Sequence, residues 1–251
     1  MRQTVSLFLS WFLVATPLCS MSAQTYPVPG PGRQAANTAV TFTGRKCGAY
    51  QGSSYITVLS CTLNVANAGD ALVIYASGDS ASGGWTATPS VTCGTAVLFR
   101  TITTFYSNVS TNLYYVPNAS AGSCTVTVTP SQQLKYFPLL VIDVANANTT
   151  TPVDNTHCTL TPFCAAHGSS SSPSASIQTS GSNELVIGIY ASIATGSTIS
   201  STGTFSGPVN NPASSTNAFG YIFESSSGTY TASYTASAGG EWEMQMVALT
   251  K

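Results

Sequence analysis

The sequence feature that most constrains the fold is a turn-and-strand stretch that occurs twice. Tyr115–Asp143 aligns without a gap with Tyr221–Leu249, and each copy opens on a turn and continues with alternating apolar and hydroxyl residues. An alternation with a period of two is typical of a β-strand with one buried face. The aligned positions include the pairs Gly122 and Gly228, Cys124 and Tyr230, Tyr136 and Trp242, and Val141 and Val247. The chain therefore predicts two related β-units.

An apolar run upstream of each copy extends the repeat. Leu72–Ser77 reads LVIYAS, and Leu185–Ser192 reads LVIGIYAS, which contains two additional residues. Because strand side chains alternate, an insertion of two is expected to keep the tyrosine on the same face. The repeat indicates halves of about 39–144 and 183–251, joined by a 145–182 loop rich in Ser, Thr, Pro and Asn.

The predicted fold is all-β, an antiparallel β-sandwich of jelly-roll-like type built from two sequence-related halves. Gly, Pro, Ser or Asn interrupts the chain too often for a long amphipathic helix. We expect neither half to bury its sheet face alone, so the two would pair face to face as one domain over 39–251. Two separate domains joined through 165–182 are the alternative.

The first 23 residues have the organisation of a secretory signal peptide. Arg2 gives a basic start, Val5–Leu18 is an apolar run, and small residues precede Gln24. A membrane anchor needs about 18 consecutive apolar residues, and Pro17 interrupts this run, so we expect no membrane span after cleavage. Residues 24–38 are rich in Pro and Gly and predict an extended tether. The expected location is extracellular or on the cell surface.

The charge of the chain excludes one class of partner. Seven basic and eight acidic residues give a net charge of −1, and charged residues make up 6% of the sequence. A chain with so few cations has no electrostatic footprint for a nucleic-acid backbone. Its surface must be wetted by hydroxyl and amide groups, which is typical of extracellular β-proteins.

The cysteines predict disulfides. The chain has seven cysteines, of which Cys19 leaves with the signal peptide, and an even number in an exported chain indicates bridges. Six cysteines allow 15 connectivities, and the sequence favours bridges between nearest neighbours. The predicted pairs are Cys47 with Cys61, Cys93 with Cys124, and Cys158 with Cys164.

A metal site is the sharpest chemical alternative to a disulfide in the 157–167 loop. His157, Cys158, Cys164 and His167 supply two imidazoles and two sulfurs within this loop. Two Cys and two His satisfy tetrahedral zinc if the thiols stay reduced. An oxidising compartment favours a small disulfide loop instead, so we predict no metal or other cofactor.

The best pair of carboxylates for acid–base catalysis is Glu241 and Glu243. They flank Trp242 and would share one face of a strand. A retaining glycosidase needs two carboxyl groups about 5–5.5 Å apart, so a glycan-active hydrolase is the enzymatic alternative. The aligned positions of the first copy, Lys135 and Phe137, carry no acid, and no Gly-x-Ser-x-Gly or phosphate-cradling loop is present. We therefore assign no catalytic residue.

Aromatic residues give a candidate for ligand binding. Exposed rings stack on sugar faces as they do on other flat ligands. Trp85 lies in the Gly- and Ser-rich turn that begins at Ser82, which makes it the tryptophan most expected to be exposed. Trp85 is the predicted ligand-binding residue.

Three segments resemble a loose class of exported bacterial β-sandwich modules of concanavalin-like or jelly-roll type. They are AGDALVI at 68–74, LYYVPNASAGSCTVTV at 113–128 and LLVIDV at 139–144, and the class often has Glu where this chain has Asp143. The resemblance implies the fold and an extracellular location, and such modules act in adhesion or with glycans. The predicted function is a secreted, non-enzymatic protein that binds a surface or a polymer such as a polysaccharide, or that self-assembles through free sheet edges.

Overall fold

The computed structural model describes residues 39–106, 109–154, 164–192, 199–202, 204–237 and 239–251, which contain eighteen β-strands and no helix. The predicted signal peptide and tether lie outside this part of the chain. The strands are β1 (Thr41–Gln51), β2 (Leu59–Val65), β3 (Asp70–Ser80), β4 (Ser90–Val91), β5 (Val97–Tyr106), β6 (Val109–Ala119), β7 (Gly122–Val128), β8 (Leu134–Lys135), β9 (Phe137–Ala145), β10 (Val153–Asp154), β11 (Ala165–Ser170), β12 (Ser174–Thr179), β13 (Glu184–Ser192), β14 (Ile199–Thr202), β15 (Ser206–Asn211), β16 (Ser214–Glu224), β17 (Gly228–Ala236) and β18 (Gly240–Leu249).

The strands form four antiparallel sheets. Inner sheet 1 has the order β1-β9-β3-β6-β5, with β8 beside β3, and outer sheet 1 has the order β2-β7-β4. Inner sheet 2 has the order β10-β18-β13-β16-β15, with β11 beside β18, and outer sheet 2 has the order β12-β17-β14. The prediction of an all-β antiparallel sandwich is confirmed. The same strand order occurs in both halves, whose sequence relationship stays a prediction.

Three hydrophobic cores fix the order of the layers. The first core joins outer and inner sheet 1, the central core joins the two inner sheets, and the third joins inner and outer sheet 2. Thr38–Lys251 is one compact unit. The layers are therefore outer 1, inner 1, inner 2 and outer 2. We expected one sandwich of two half-repeats, and the structure instead stacks two complete sandwiches through their inner sheets.

The outer strands explain this difference. Three strands, β10, β11 and β12, lie in the 145–182 stretch that we expected to be a loop. Ser174–Thr179 reads as a linker because its outward residues are polar, but Ala175 and Ile177 between them are buried against inner sheet 2. The inner strands are covered on both faces, and Leu72–Ala76 is fully buried, as its continuous apolar run predicts.

The pairing of the central strands corrects the register of the repeat. Val73 lies between Tyr115 and Ile142, and Ile187 lies between Tyr221 and Val247 in the same arrangement. Val73 therefore corresponds to Ile187. Aligning Leu72 with Leu185 would instead place Val73 on Val186, so the sequence alignment is wrong by one residue. A shift of one residue exchanges the faces of a strand.

The expectation that the two tyrosines share a face is therefore wrong. Tyr75 faces the central core, whereas Tyr190 faces the third core. The same shift affects β9 and β18, where Phe137, not Tyr136, takes the place of Trp242. Tyr136 has a positive φ of 47°, a conformation that L-residues rarely adopt, and it adds one residue before β9.

Two of the predicted disulfides are present. Cys47–Cys61 joins β1 of inner sheet 1 to β2 of outer sheet 1, with 5.8 Å between the Cα atoms. Cys93–Cys124 ties the segment after β4 to β7, with a Cα separation of 5.2 Å. Cys164 is also disulfide-bonded, and its predicted partner Cys158 lies outside the described residues. Disulfides are typical of extracellular proteins.

Candidate functional site: a buried carboxyl cluster and two hydroxyl faces

Trp85 is a core residue, and the expectation that it is exposed is wrong. Its side chain is 1% exposed and packs edge-on against Phe137, with 5.7 Å between the ring centroids. The indole Nε1 donates a hydrogen bond to the Gly78 carbonyl at 3.1 Å. The Gly- and Ser-rich turn folds the ring inward, because the first core offers both apolar contacts and an acceptor for the indole N–H.

The structure disfavours a metal site in the 157–167 loop. The Cys164 sulfur is bonded in a disulfide, so it is not a thiolate ligand. His157 and Cys158 lie outside the described residues, and His167 pairs with Glu243 across β11 and β18. Within the described ranges, no group of three or more His, Cys, Asp or Glu residues is arranged to hold a metal. In the same ranges, no helix is long and apolar enough to cross a membrane.

Glu243 lies at the polar end of the central core. β18 turns this residue toward inner sheet 1, and its side chain is 1% exposed. Its Oε1 accepts hydrogen bonds from the Thr111 hydroxyl and from Gln245 Nε2, the latter at 3.1 Å. Gln245 Nε2 also donates to the Thr111 hydroxyl at 2.6 Å. Because Thr111 belongs to inner sheet 1, this network joins the two sandwiches.

Burial controls the electrostatics of this cluster. It raises the pKa of Glu243 to about 7, against the lowering effects of hydrogen bonds from Thr111 and Gln245 and of the nearby Arg100 guanidinium. Burial also lowers the pKa of Arg100 to about 10, so that the guanidinium stays charged at neutral pH. Arg100 Nη1 donates to the Cys164 carbonyl at 2.7 Å. Among the described residues, Glu243 Oε2 accepts no hydrogen bond.

The pocket beside Glu243 is too small for a sugar ring. It has about 20 Å³ of space for water-sized molecules, which suits one or two waters. It is lined by Ser77, Asp79, Val109, Tyr136, Pro138, Ala191, Ser192 and Glu243. Asp79 is ion-paired with Lys135 at 3.2 Å, and Glu241 does not line the pocket. The predicted Glu241–Glu243 pair therefore does not flank a space that admits a glycosidic bond.

A second kind of carboxyl site occurs once in each half. In the turn before β3, Asn67 N donates to Asp70 Oδ2 at 2.8 Å, and in the turn before β13, Gly181 N donates to Glu184 Oε1 at 3.0 Å. A second acid accepts the preceding N–H: Asp143 Oδ2 from Ala66 at 3.0 Å, and Asp154 Oδ2 from Ser180 at 2.8 Å. We call these arrangements the acid turns.

The acids of each turn compete for ionisation. Burial, with a smaller contribution from the neighbouring Asp154, raises the pKa of Glu184 to about 7. Burial also raises the pKa of Asp143, with a smaller contribution from Asp70. The backbone N–H groups of Ala66 and Gly181 donate to these carboxyl groups and favour their ionised form, so they partly offset the effect of burial on the pKa.

The outward surfaces of the two outer sheets consist of hydroxyl and amide side chains. Face 1, on outer sheet 1, comprises Ser60, Thr62, Asn64, Ser90, Ser123, Thr125 and Thr127. Face 2, on outer sheet 2, comprises Ser174, Ser176, Gln178, Thr229, Thr231, Ser233 and Thr235. Neighbouring rows on a strand lie about 6.6–6.8 Å apart and neighbouring strands about 4.8 Å apart, so each face is a regular array.

Hydrogen bonds between strands hold these arrays in place. Thr62 and Thr125 share a hydroxyl–hydroxyl bond of 2.8 Å on face 1. On face 2, Ser174 and Ser233 are joined at 3.1 Å, and Ser176 and Thr231 at 2.7 Å. A hydroxyl held by its neighbour has lost rotamer freedom before any ligand arrives, which lowers the entropic cost of binding.

Charge separates the inner sheets from the outer sheets. The six strands of the outer sheets contain no Asp, Glu, Lys, Arg or His. Every residue of these types in a described strand lies in an inner sheet, including all the acids of the two carboxyl sites. Faces 1 and 2 are therefore uncharged, which favours a neutral, hydrogen-bonding partner.

The sequence predicted that single strands would expose hydroxyl side chains, but not how many such strands would lie side by side. The alternation of Thr125–Thr129 predicts one wet strand face, whereas the alignment of three such strands depends on long-range pairing. A scan against protein-family models and a search of curated proteins find no match for this chain. The outer faces and the carboxyl sites are therefore the candidate functional features of this chain.

Proposed function

We propose that this is an exported, non-enzymatic module that binds a neutral polysaccharide through its outer hydroxyl faces. The observation that carries the proposal is the segregation of charge: both outer sheets present ordered Ser and Thr hydroxyls on strands that contain no Asp, Glu, Lys, Arg or His. Export by the N-terminal signal peptide belongs to the proposal, and the disulfides support it.

The composition of the faces selects the partner. Nucleic acids, anionic polymers and acidic membranes are bound through complementary cations, which the outer strands lack. A neutral polysaccharide offers hydroxyl groups that both donate and accept, as do Ser and Thr. Each hydrogen bond that replaces a bond to water contributes only modestly to affinity. The affinity of a flat array therefore depends on many such contacts together.

The first experiment measures binding of the mature chain to insoluble starch, cellulose and cross-linked dextran by depletion from solution. A variant with Thr62→Val, Thr125→Val, Ser176→Ala and Thr231→Val removes hydroxyls from both faces while keeping strand-forming or small residues. We expect this variant to bind at least about tenfold more weakly than the wild type. Thr150→Val, at an exposed loop position outside both faces, is the matched control and should bind normally.

Salt and product analysis separate this function from the alternatives. Binding through uncharged faces should change little between about 0.01 M and 1 M salt, because there are no ion pairs to screen. Release of reducing sugar would overturn the proposal in favour of a hydrolase. Binding that survives in the four-substitution variant would also overturn it and place the binding site on another surface. The absence of binding to all three polymers would overturn it and leave self-assembly through free sheet edges as the explanation.

A further inference from the structure

The two hydroxyl faces lie at opposite ends of one rigid stack. Outer sheet 1 contacts the first core and outer sheet 2 contacts the third core, with both inner sheets between them. Three intersheet spacings of about 10 Å each place the faces about 30 Å apart. Since each outer sheet buries its other side, faces 1 and 2 point away from each other.

We propose that a single molecule is bivalent and cross-links two neutral polysaccharide chains or surfaces, one on each face. This inference rests on the proposed function and adds that the two faces bind separate polymers at the same time. Faces that point in opposite directions cannot both engage one flat surface, so the second face gains nothing from avidity there. It remains free for a second polymer, which a monomer with one binding face would be unable to hold.

The central core makes this arrangement rigid. The inner sheets meet through apolar residues such as Val73 and Ile187, and the Thr111–Glu243–Gln245 network closes the polar end. Asn211 Nδ2 adds a hydrogen bond of 3.0 Å to the Leu139 carbonyl across the same interface. The distance between the faces is thus set by packed sheets and not by a linker.

The test uses cross-linked dextran beads with soluble fluorescein-labelled dextran, and starch granules with labelled soluble starch. Two variants each remove hydroxyl groups from one face. Thr62→Val with Thr125→Val alters face 1, and Ser176→Ala with Thr231→Val alters face 2. On a single surface, each variant should bind within about twofold of the wild type, because one of two independent faces remains. Capture of the labelled polymer by protein-coated beads should fall at least about tenfold in both.

The outcomes distinguish the two proposals. Bead binding with capture by the wild type, and bead binding without capture by both single-face variants, supports the bivalent arrangement. Bead binding without capture by the wild type, or capture that persists in either single-face variant, overturns bivalency and leaves the binding function standing. Capture that persists in a single-face variant would also arise if a dimer of the protein linked the two polymers. Absence of binding by the wild type to dextran beads, starch granules and cellulose overturns the proposed function itself.

Discussion

The two sandwiches have the same strand order but fill their outer cores in opposite ways. In the first, Ile74 pairs with Tyr114, and the small Val128 lies on the facing outer sheet. In the second, Gly188 pairs with Gly220, and Tyr234 lies on the outer sheet. The equivalence follows from the registers of β3 with β13 and of β7 with β17. Large residues on the inner sheet are thus exchanged for a large residue on the outer sheet.

The exchange shows what this topology requires of its core. Tyr234 occupies the space that the glycines leave, and its hydroxyl donates to the Gly188 carbonyl at 2.8 Å. In the first sandwich, the Tyr114 hydroxyl instead donates to the Ala87 carbonyl at 2.6 Å. Each core thus places one tyrosine hydroxyl on a backbone carbonyl, from the inner sheet in the first sandwich and from the outer sheet in the second. A core of the right volume and pattern specifies the fold, while the identity of the residues is free to change.

The sandwiches also differ in covalent cross-links. Cys124 of β7 pairs with Leu63, and its counterpart Tyr230 pairs with Ile177 in the second sandwich. Tyr230 is half-buried and packs against the third core. At this one position, the first sandwich therefore has a disulfide where the second has an aromatic contact.

The largest expected effect follows from this difference. Cys93→Ala with Cys124→Ala opens a loop of 31 residues and should lower the free energy of unfolding by about 4 kcal/mol, because the bridge restricts the unfolded chain. Tyr230→Ala at the equivalent place should cost only about 1–2 kcal/mol, since that side chain is half-buried. Urea unfolding of both variants checks the comparison, and equal losses would contradict it.

The size exchange is tested at Gly220. A Cβ at this position would lie 2.7 Å from the Tyr234 hydroxyl oxygen, so Gly220→Ala should destabilise the protein by about 1–3 kcal/mol through overpacking. Adding Tyr234→Phe removes the hydroxyl and should recover part of this loss, whereas independent sites would give additive losses. A double-mutant cycle measured by chemical denaturation decides between these results.

The acid turn before β13 should make the stability of the protein depend on pH. The folded protein holds the Glu184 proton up to a pKa of about 7, whereas the ordinary value is 4.5. Its contribution to stability is therefore complete below pH 4.5 and is lost as the pH rises through 7. Because the site is close to the surface, the loss should be about 1–2 kcal/mol and not the full value of the shift.

Glu184→Gln is the matched variant for this prediction. It keeps a neutral side chain of the same shape, so it should flatten part of the decline in unfolding free energy between pH 4.5 and 7. Glu243 titrates in the same range and accounts for the slope that remains. An unchanged slope in Glu184→Gln would show that this carboxyl group ionises at its ordinary pKa in the folded protein.

The sequence predicted local features of the fold and missed those that depend on packing between distant segments. Alternation identified the strands, and spacing identified the Cys47–Cys61 and Cys93–Cys124 bridges, because both are set by near neighbours. The gapless alignment failed at Tyr136, where one left-handed residue exchanges the faces of β9. Glu243 was recognised as a candidate, but its partners Thr111 and Arg100 come from the other half of the chain.

The smallest effect on stability is expected at the hydroxyl faces, where the effect on binding should be largest. Thr62→Val or Thr231→Val removes one exposed inter-strand hydrogen bond and leaves a residue that favours strands, so each should change stability by less than about 0.5 kcal/mol. The cores buried behind the faces are untouched. Thermal unfolding of the single variants checks this, with Thr150→Val as the reference. A loss of about 2 kcal/mol or more would instead assign the hydroxyl rows to holding the outer strands together.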